Sequence, residues 1–246
     1  MDTFEDGERE RIRAALVNDD AVHDIQDFAD AVNVFSVNTL ATEWRAVEKQ
    51  LWKKENHSTA AAVKRDPLYY MILGKSLHEL VQRHEGPEYK HEVPVALVVP
   101  YTWENIKSGK IIIWGKIDSY DPVKNTVYEF STTTKNGAAP SAEYTKKVSV
   151  FSKALGVVGG VRPRACIVHF NPVYRDGKDI LDITVHTVTD AEYDEATRDI
   201  IWKAEETARK IDEKIGTKEW KNSIHVCTDV ETKDGKFTYK IEDGKI

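Results

Sequence analysis

Cysteine is nearly missing from this chain of 246 residues: only Cys166 and Cys227 occur. Two are too few for a disulfide framework or for a four-cysteine metal or cluster site. No stretch approaches the ~18 apolar residues that a membrane-crossing helix needs, so no membrane partner is expected. The opening MDTFEDGERERIR is acidic and charged, unlike a secretory signal or a basic transit peptide. A reducing, cytoplasmic setting is the expectation. Glutamine is confined to Gln26, Gln50 and Gln82 while Glu and Lys abound, a bias associated with thermophilic sources. Repeats, low-complexity tracts and Pro/Gly linkers are lacking as well. So is a basic excess: 35 Lys and Arg against 41 Asp and Glu leave a formal charge of −6. The total does not advertise nucleic-acid binding, but a locally basic surface around an acidic site is compatible with it.

What is present is ordinary for a soluble globular protein, 41% hydrophobic and 31% charged. From Glu8 to about Lys54 apolar residues such as Ile12, Leu16, Ile25 and Phe28 recur at helical spacing. Phe35-Ser36-Val37-Asn38 interrupts this, with Ser36 or Asn38 as a cap for a helix through TLATEWRAVEKQLWKK. DPLYYMILGKSLHELVQRH reads as a second helix started by Asp66-Pro67. The period then changes. EVPVALVVP, KIIIWGKIDSY, NTVYEFSTT, RACIVHFNP and DILDITVHTV are strands, with a helix from Ser141 to Gly156 between the third and fourth. A long charged helix follows, capped by Asp190 and ended by Gly216, and then a small hairpin around Lys233-Asp234-Gly235-Lys236. The order predicts one α/β domain: a mixed central β-sheet flanked by helices, with a helical N-terminal portion over 1–65, a core over 66–215 and the hairpin over 216–246.

Two acids carry the chemistry. Asp118 ends one strand and Glu129 lies in the next, joined by the turn-rich DPVKN. Antiparallel pairing brings both carboxylates to one end of the sheet. Such neighbours repel unless a cation such as Mg²⁺ or Mn²⁺ lies between them. Bland alternatives stand beside this reading: Asp118 capping the SYDP turn, Glu129 paired with Lys116, and His78 as an ordinary helix histidine.

Upstream, GKSLH places His78 four residues after Gly74 on the helix before the strands; GKID then ends in Asp118, and VYEFS contains Glu129. Helical His, strand Asp, strand Glu and a following helix, in this order, resemble the PD-(D/E)XK nuclease superfamily, in particular its RecB-like branch with the CRISPR-associated exonucleases. The resemblance spans roughly Ser36 to Ile211. It implies a restriction-endonuclease-like core and metal-dependent cleavage of DNA, single-stranded or end-exposed. His78, Asp118, Glu129 and the Phe130 carbonyl would be the ligands of Mg²⁺ or Mn²⁺. DNA would be the partner, a homo-oligomer being left open.

The chain departs from that pattern twice. Ser131 stands where the superfamily carries a lysine, two residues after Glu129 and on the same strand face. A hydroxyl cannot supply the missing cation. Aligning the following helix puts Lys147 at the place of the family's helical glutamine, which makes Lys147 the expected substitute. Lys146, Lys116 and Lys135 are other candidates, and together with Lys147 they are the expected contacts to DNA. Loss of catalysis, leaving a protein that binds DNA or a partner protein, is the alternative. The second departure is the iron–sulfur cluster: Glu43-Trp44-Arg45 stands where a first cysteine would be and Cys227 is alone in its region, so no cluster is expected. The hairpin, with Trp44 and Trp220, is expected to replace it as a staple.

Overall fold

The computed structural model of the protein describes residues 28, 30–41, 65–132, 141–175, 178–217, 224–233 and 236–244. Helices flank a mixed sheet, as the pattern of periods predicts. Strand β1 (Val34–Ser36) is followed directly by helix α1 (Val37–Ala41), and helix α2 (Arg65–His84) leads into β2 (Lys90–Pro100), β3 (Lys110–Asp121) and β4 (Thr126–Thr132). Helix α3 (Ala142–Gly159) is the crossover to β5 (Arg164–Arg175), which turns into β6 (Lys178–Thr187); helix α4 (Asp190–Ile215) and the hairpin β7 (Ile224–Lys233) and β8 (Lys236–Gly244) complete the order.

Strand β3 organises the sheet. Along one edge it pairs antiparallel with β2, from Lys90 opposite Tyr120 to Pro100 opposite Lys110. Its other edge is shared. β1 pairs parallel with Ile112–Trp114, and β4 pairs antiparallel only with Ser119–Asp121. Between them, Gly115–Asp118 pairs with neither strand on that edge, and this opening positions the site. Beyond it, β4 runs parallel to β5 over its whole length, which is why a helix must intervene. β6 then pairs antiparallel with β5.

The main core lies between the sheet and helices α3 and α4. Val93, Val95, Leu97 and Val99 alternate inward from β2, and meet Val148, Phe151 and Ala154 of α3 and Ile200, Ala204, Ala208 and Ile211 of α4. Each such Val, Leu, Ile or Phe side chain contributes about 1.5–3 kcal/mol when fully buried. Gly115 is needed for the fit: a Cβ there would stand 2.6 Å from Cε1 of Phe151. On the opposite face the hairpin covers Phe28, Val34 and Ile112. It is clamped by a buried amide: Asn33 Nδ2 donates to the Cys227 carbonyl and the Cys227 N–H donates to Asn33 Oδ1, both at 2.9 Å. Burial pushes the Cys227 thiol up to about 11, which keeps it protonated at neutral pH. The hairpin is held to the sheet by this amide clamp and by the Phe28 cluster, with Phe237 and Tyr239 ring centroids each 4.8 Å from Phe28. Trp44 and Trp220 lie outside the described residues.

Three local expectations change. Val34–Ser36 is a strand, where the sequence read only an interruption between helices; a three-residue buried strand shows no periodicity. Helix α3 runs through Gly156 and ends at Gly159, followed by Gly160 at φ 73°. Gly156 serves close approach instead, since a Cβ there would lie 3.0 Å from the Arg162 Cα. The cap of α4 is Thr189, not Asp190. Glu192 reaches back to the Thr189 N–H at 2.8 Å, while Thr189 Oγ1 accepts from the Glu192 N–H. That capping box uses the Thr-x-x-Glu spacing and leaves Asp190 in the first turn, where the helix dipole favours it. Among the described residues no helix is long and apolar enough to cross a membrane.

Candidate active site

The β3–β4 ladder ends at Ser119 and Tyr128. One residue further along each strand, Asp118 and Glu129 stand opposite one another where the ladder has stopped. Instead of a backbone pair, the Phe130 N–H donates to Asp118 Oδ2 at 2.7 Å. A strand residue turns its N–H and C=O to the same edge, so the Phe130 carbonyl points to this opening too. The turn alternative for Asp118 is thereby removed. It is Asp121 whose Oδ1 accepts from the Val123 and Lys124 N–H groups, each at 2.9 Å.

Alternation along β4 sends Glu129 and Ser131 to the face covered by α3, and Phe130 and Thr132 to the face crossed by α2. Two helices therefore reach the opening from opposite sides. From α2, the His78 ring packs edge-on against Phe130, centroids 5.2 Å apart, and its Nδ1 lies 3.8 Å from Asp118 Oδ1. Gly74, one turn earlier, passes Thr132, whose Oγ1 would be 3.6 Å from an added Cβ. From α3, the Lys147 ammonium lies 3.9 Å from Glu129 Oε1 and 3.0 Å from Glu143 Oε1, and 4.9 Å from the centre of the Tyr144 ring. Among the described residues Lys147 is thus the lysine that the fold brings to Glu129, and the Lys116 pairing considered for Glu129 does not form.

The electrostatics are unbalanced. Glu129 is 6% exposed, and burial raises its pKa well above the ordinary range, Asp118 adding to the rise and Lys147 opposing it. Burial also raises Asp118, against the pull of His78 and the Phe130 N–H, with Glu92 adding to the rise. Lys147 keeps its proton: burial works against the charge, but Glu129 and Glu143 outweigh it and its pKa rises. Glu129 Oε2 is buried with no hydrogen-bond partner. Carboxylates that repel, one with an orphaned oxygen, beside an imidazole form a donor set suited to a hard divalent cation. The set is not closed, however. Among the described residues no three His, Cys, Asp or Glu side chains stand close enough together to hold an ion in this conformation.

The remaining expected residues scatter. Lys146 turns to α4, where its ammonium lies 2.9 Å from Asp199 Oδ2. Lys116 is exposed two residues before Asp118, and Lys135 lies outside the described residues. Ser131 is almost fully buried and its Oγ is 2.9 Å from His169 Nδ1.

Several residues went unnoticed in the sequence. Gln82 Nε2 donates to the Asp118 carbonyl at 2.9 Å, fixing α2 to the strand end; its spacing of four from His78 could have signalled a shared helix face. Glu92 interrupts the β2–β3 pairing opposite Asp118 and adopts a left-handed φ of 49°, a conformation that non-glycine residues rarely take. His169 and Tyr144 carried no signal, since their partners come from other elements.

No family model matches the chain, and no curated protein matches it significantly in sequence. Solved structures similar to it include that of SSO0001, at 15% identity and TM-score 0.40, covering 69% of this chain and 76% of that one. Another is a protein assigned as an exonuclease, from Eubacterium rectale, at 13% identity and TM-score 0.37, covering 68% and 64%. A third is the alkaline exonuclease of Laribacter hongkongensis, at 10% identity and TM-score 0.40, covering 78% and 97%. At these identities and scores the likenesses assign this chain no activity and no ligand.

Proposed function

We propose that the protein is a metal-dependent deoxyribonuclease that hydrolyses phosphodiester bonds of single-stranded or end-exposed DNA. The observation that carries this reading is the pair Asp118 and Glu129, held opposite each other where the strands part, both with raised pKa values and one oxygen left without a partner. Asp118, Glu129, His78 and the Phe130 carbonyl would hold Mg²⁺ or Mn²⁺. When bound, the ion supplies a Lewis acid for the phosphate and lowers the pKa of a water. The protein's own residues do the rest. The Phe130 N–H orients the Asp118 carboxylate, Gln82 fixes the strand beneath it, and Lys147 offers a charged ammonium to the phosphate oxygens as negative charge builds. Lys116, exposed on the same strand, would contact the DNA backbone. Closing the ligand set requires His78, Asp118 and Glu129 to draw closer together around the ion.

A second reading has its own support. The ligands are not gathered, and the family's lysine position is occupied by a buried serine bonded to His169. On that reading the protein binds DNA or a protein partner without cutting. Labelled single-stranded DNA incubated with Mn²⁺ separates the two. Cleavage by the wild-type protein that disappears in Asp118→Ala supports the nuclease. The nuclease reading is sunk by calorimetry that finds no Mn²⁺ site dependent on Glu129.

A further inference from the structure

Ser131 is more than a gap left by a lysine. Its Oγ lies 2.9 Å from His169 Nδ1, in a register that sets Ser131 of β4 directly beside His169 of β5. On α3 the Tyr144 hydroxyl lies within hydrogen-bonding reach of it. The Tyr144 ring in turn lies beneath the Lys147 ammonium, 4.9 Å from centroid to Nζ, and that ammonium faces Glu129. Ser131 and His169 are 1% and 5% exposed, so water competes little for these bonds.

We propose that Ser131, His169 and Tyr144 are positioning residues: a buried chain of side chains that holds the aromatic ring under Lys147 and thereby sets its ammonium against Glu129. The inference rests on the nuclease reading for its catalytic consequence, though not for its geometry. A hydroxyl donates one hydrogen bond while accepting others, so Ser131 serves imidazole and phenol at once. Lysine at 131 would have only donors to offer and would bring a second ammonium to the same pocket. Alanine would serve neither neighbour. Without the tether the phenol loses its anchor, and Lys147, on a side chain with four rotatable bonds, is left to its i,i+4 partner Glu143. Attraction between a cation and a ring face also depends on the ring staying in place. On this reading the serine is part of what makes the helical position of the cation usable.

The test reads Lys147 directly and needs no turnover. In protein carrying ¹³C-labelled lysine, the Lys147 ε-CH₂ signal is assigned by its loss in Lys147→Gln. In the wild type it should be displaced upfield by the Tyr144 ring. Ser131→Ala should collapse that displacement toward the value of an exposed lysine. Tyr144→Phe, which keeps the ring and removes only its tether, should reduce it, and Ser131→Thr, which keeps a hydroxyl, should preserve it. His169→Leu should repeat the loss, and His169→Asn, with an acceptor near the place of Nδ1, should retain the shift. In cleavage assays Ser131→Ala and Tyr144→Phe should each lower kcat roughly 10- to 100-fold with KM unchanged, and the double variant should be no worse than either alone. A Lys147 signal that is the same in wild type, Ser131→Ala and Tyr144→Phe overturns the proposal. Should the wild type neither bind Mn²⁺ nor cleave DNA, the nuclease reading falls while the lysine spectra still decide the tether.

Discussion

Asp118 and Asp121 lie three residues apart on one strand and live in opposite electrostatic worlds. Asp121, at the closed end of the β3–β4 ladder, accepts two backbone N–H groups from the turn, and Lys124 lies 3.3 Å from its other oxygen. The Lys124 backbone N–H is the largest reason its pKa falls. Asp118, at the open end, has one N–H and an imidazole, is pushed up by burial, and faces Glu129. The first carboxylate is satisfied by the chain that surrounds it. The second sets one N–H and an imidazole against the cost of burial, and faces a carboxylate with an orphaned oxygen. Proteins retain such costly groups where they work, and the difference between the two aspartates is a better pointer to the site than the number of acids in the sequence.

The largest expected effect breaks the comparison at its open end. Asp118→Asn should abolish Mn²⁺-dependent cleavage, while leaving the melting temperature in metal-free buffer unchanged or raised, because a repulsion has been removed. Next, Lys147→Gln should lower the cleavage rate by roughly 10²–10³, the scale for losing one charge-stabilising donor, with the Mn²⁺ affinity largely retained in calorimetry. At the closed end the pattern should invert: Asp121→Ala should lower the melting temperature by several degrees and leave Mn²⁺ affinity as it was. A loss of affinity there equal to that of Asp118→Ala would erase the distinction between the two aspartates.

The smallest effect sharpens it with a carboxylate of Asp121's kind. Glu192 of the α4 capping box is held below the ordinary glutamate range, chiefly by the Thr189 N–H and then its hydroxyl. A lowered folded pKa means that its contribution is present above the unfolded value, about 4.3, and is lost as pH falls through the folded one. Glu192→Gln should therefore melt below the wild type at neutral pH, and the two curves should converge in acid. Thr189→Ala should cost about 1 kcal/mol in denaturant titrations.

Legibility in the sequence followed locality. The strands from β2 to β6 and the helices α2 and α4 announce themselves by period and punctuation, because alternation and helical spacing record which face is buried. The gap at Gly115–Asp118 does not, since it exists only because β1 and β4 share one edge of β3, and β1 comes from a segment some eighty residues away. His78, Asp118 and Glu129 were visible as a resemblance of motifs. Lys147 was visible as one lysine of a pair, and the tertiary fold separated the two: Lys146 to Asp199 and Lys147 to Glu129.

By itself the sequence determined an α/β chain with a carboxylate at the end of one strand and another inside the next, no cluster-forming cysteines, and a serine where a cation was expected. Which carboxylate would be satisfied, which lysine would face the acids, and what the serine would touch were decided only when distant segments packed. The reason is physical. Periodicity reports how a residue stands to its own element, whereas the charge state and hydrogen bonds of a buried group are set by neighbours that the chain brings from elsewhere.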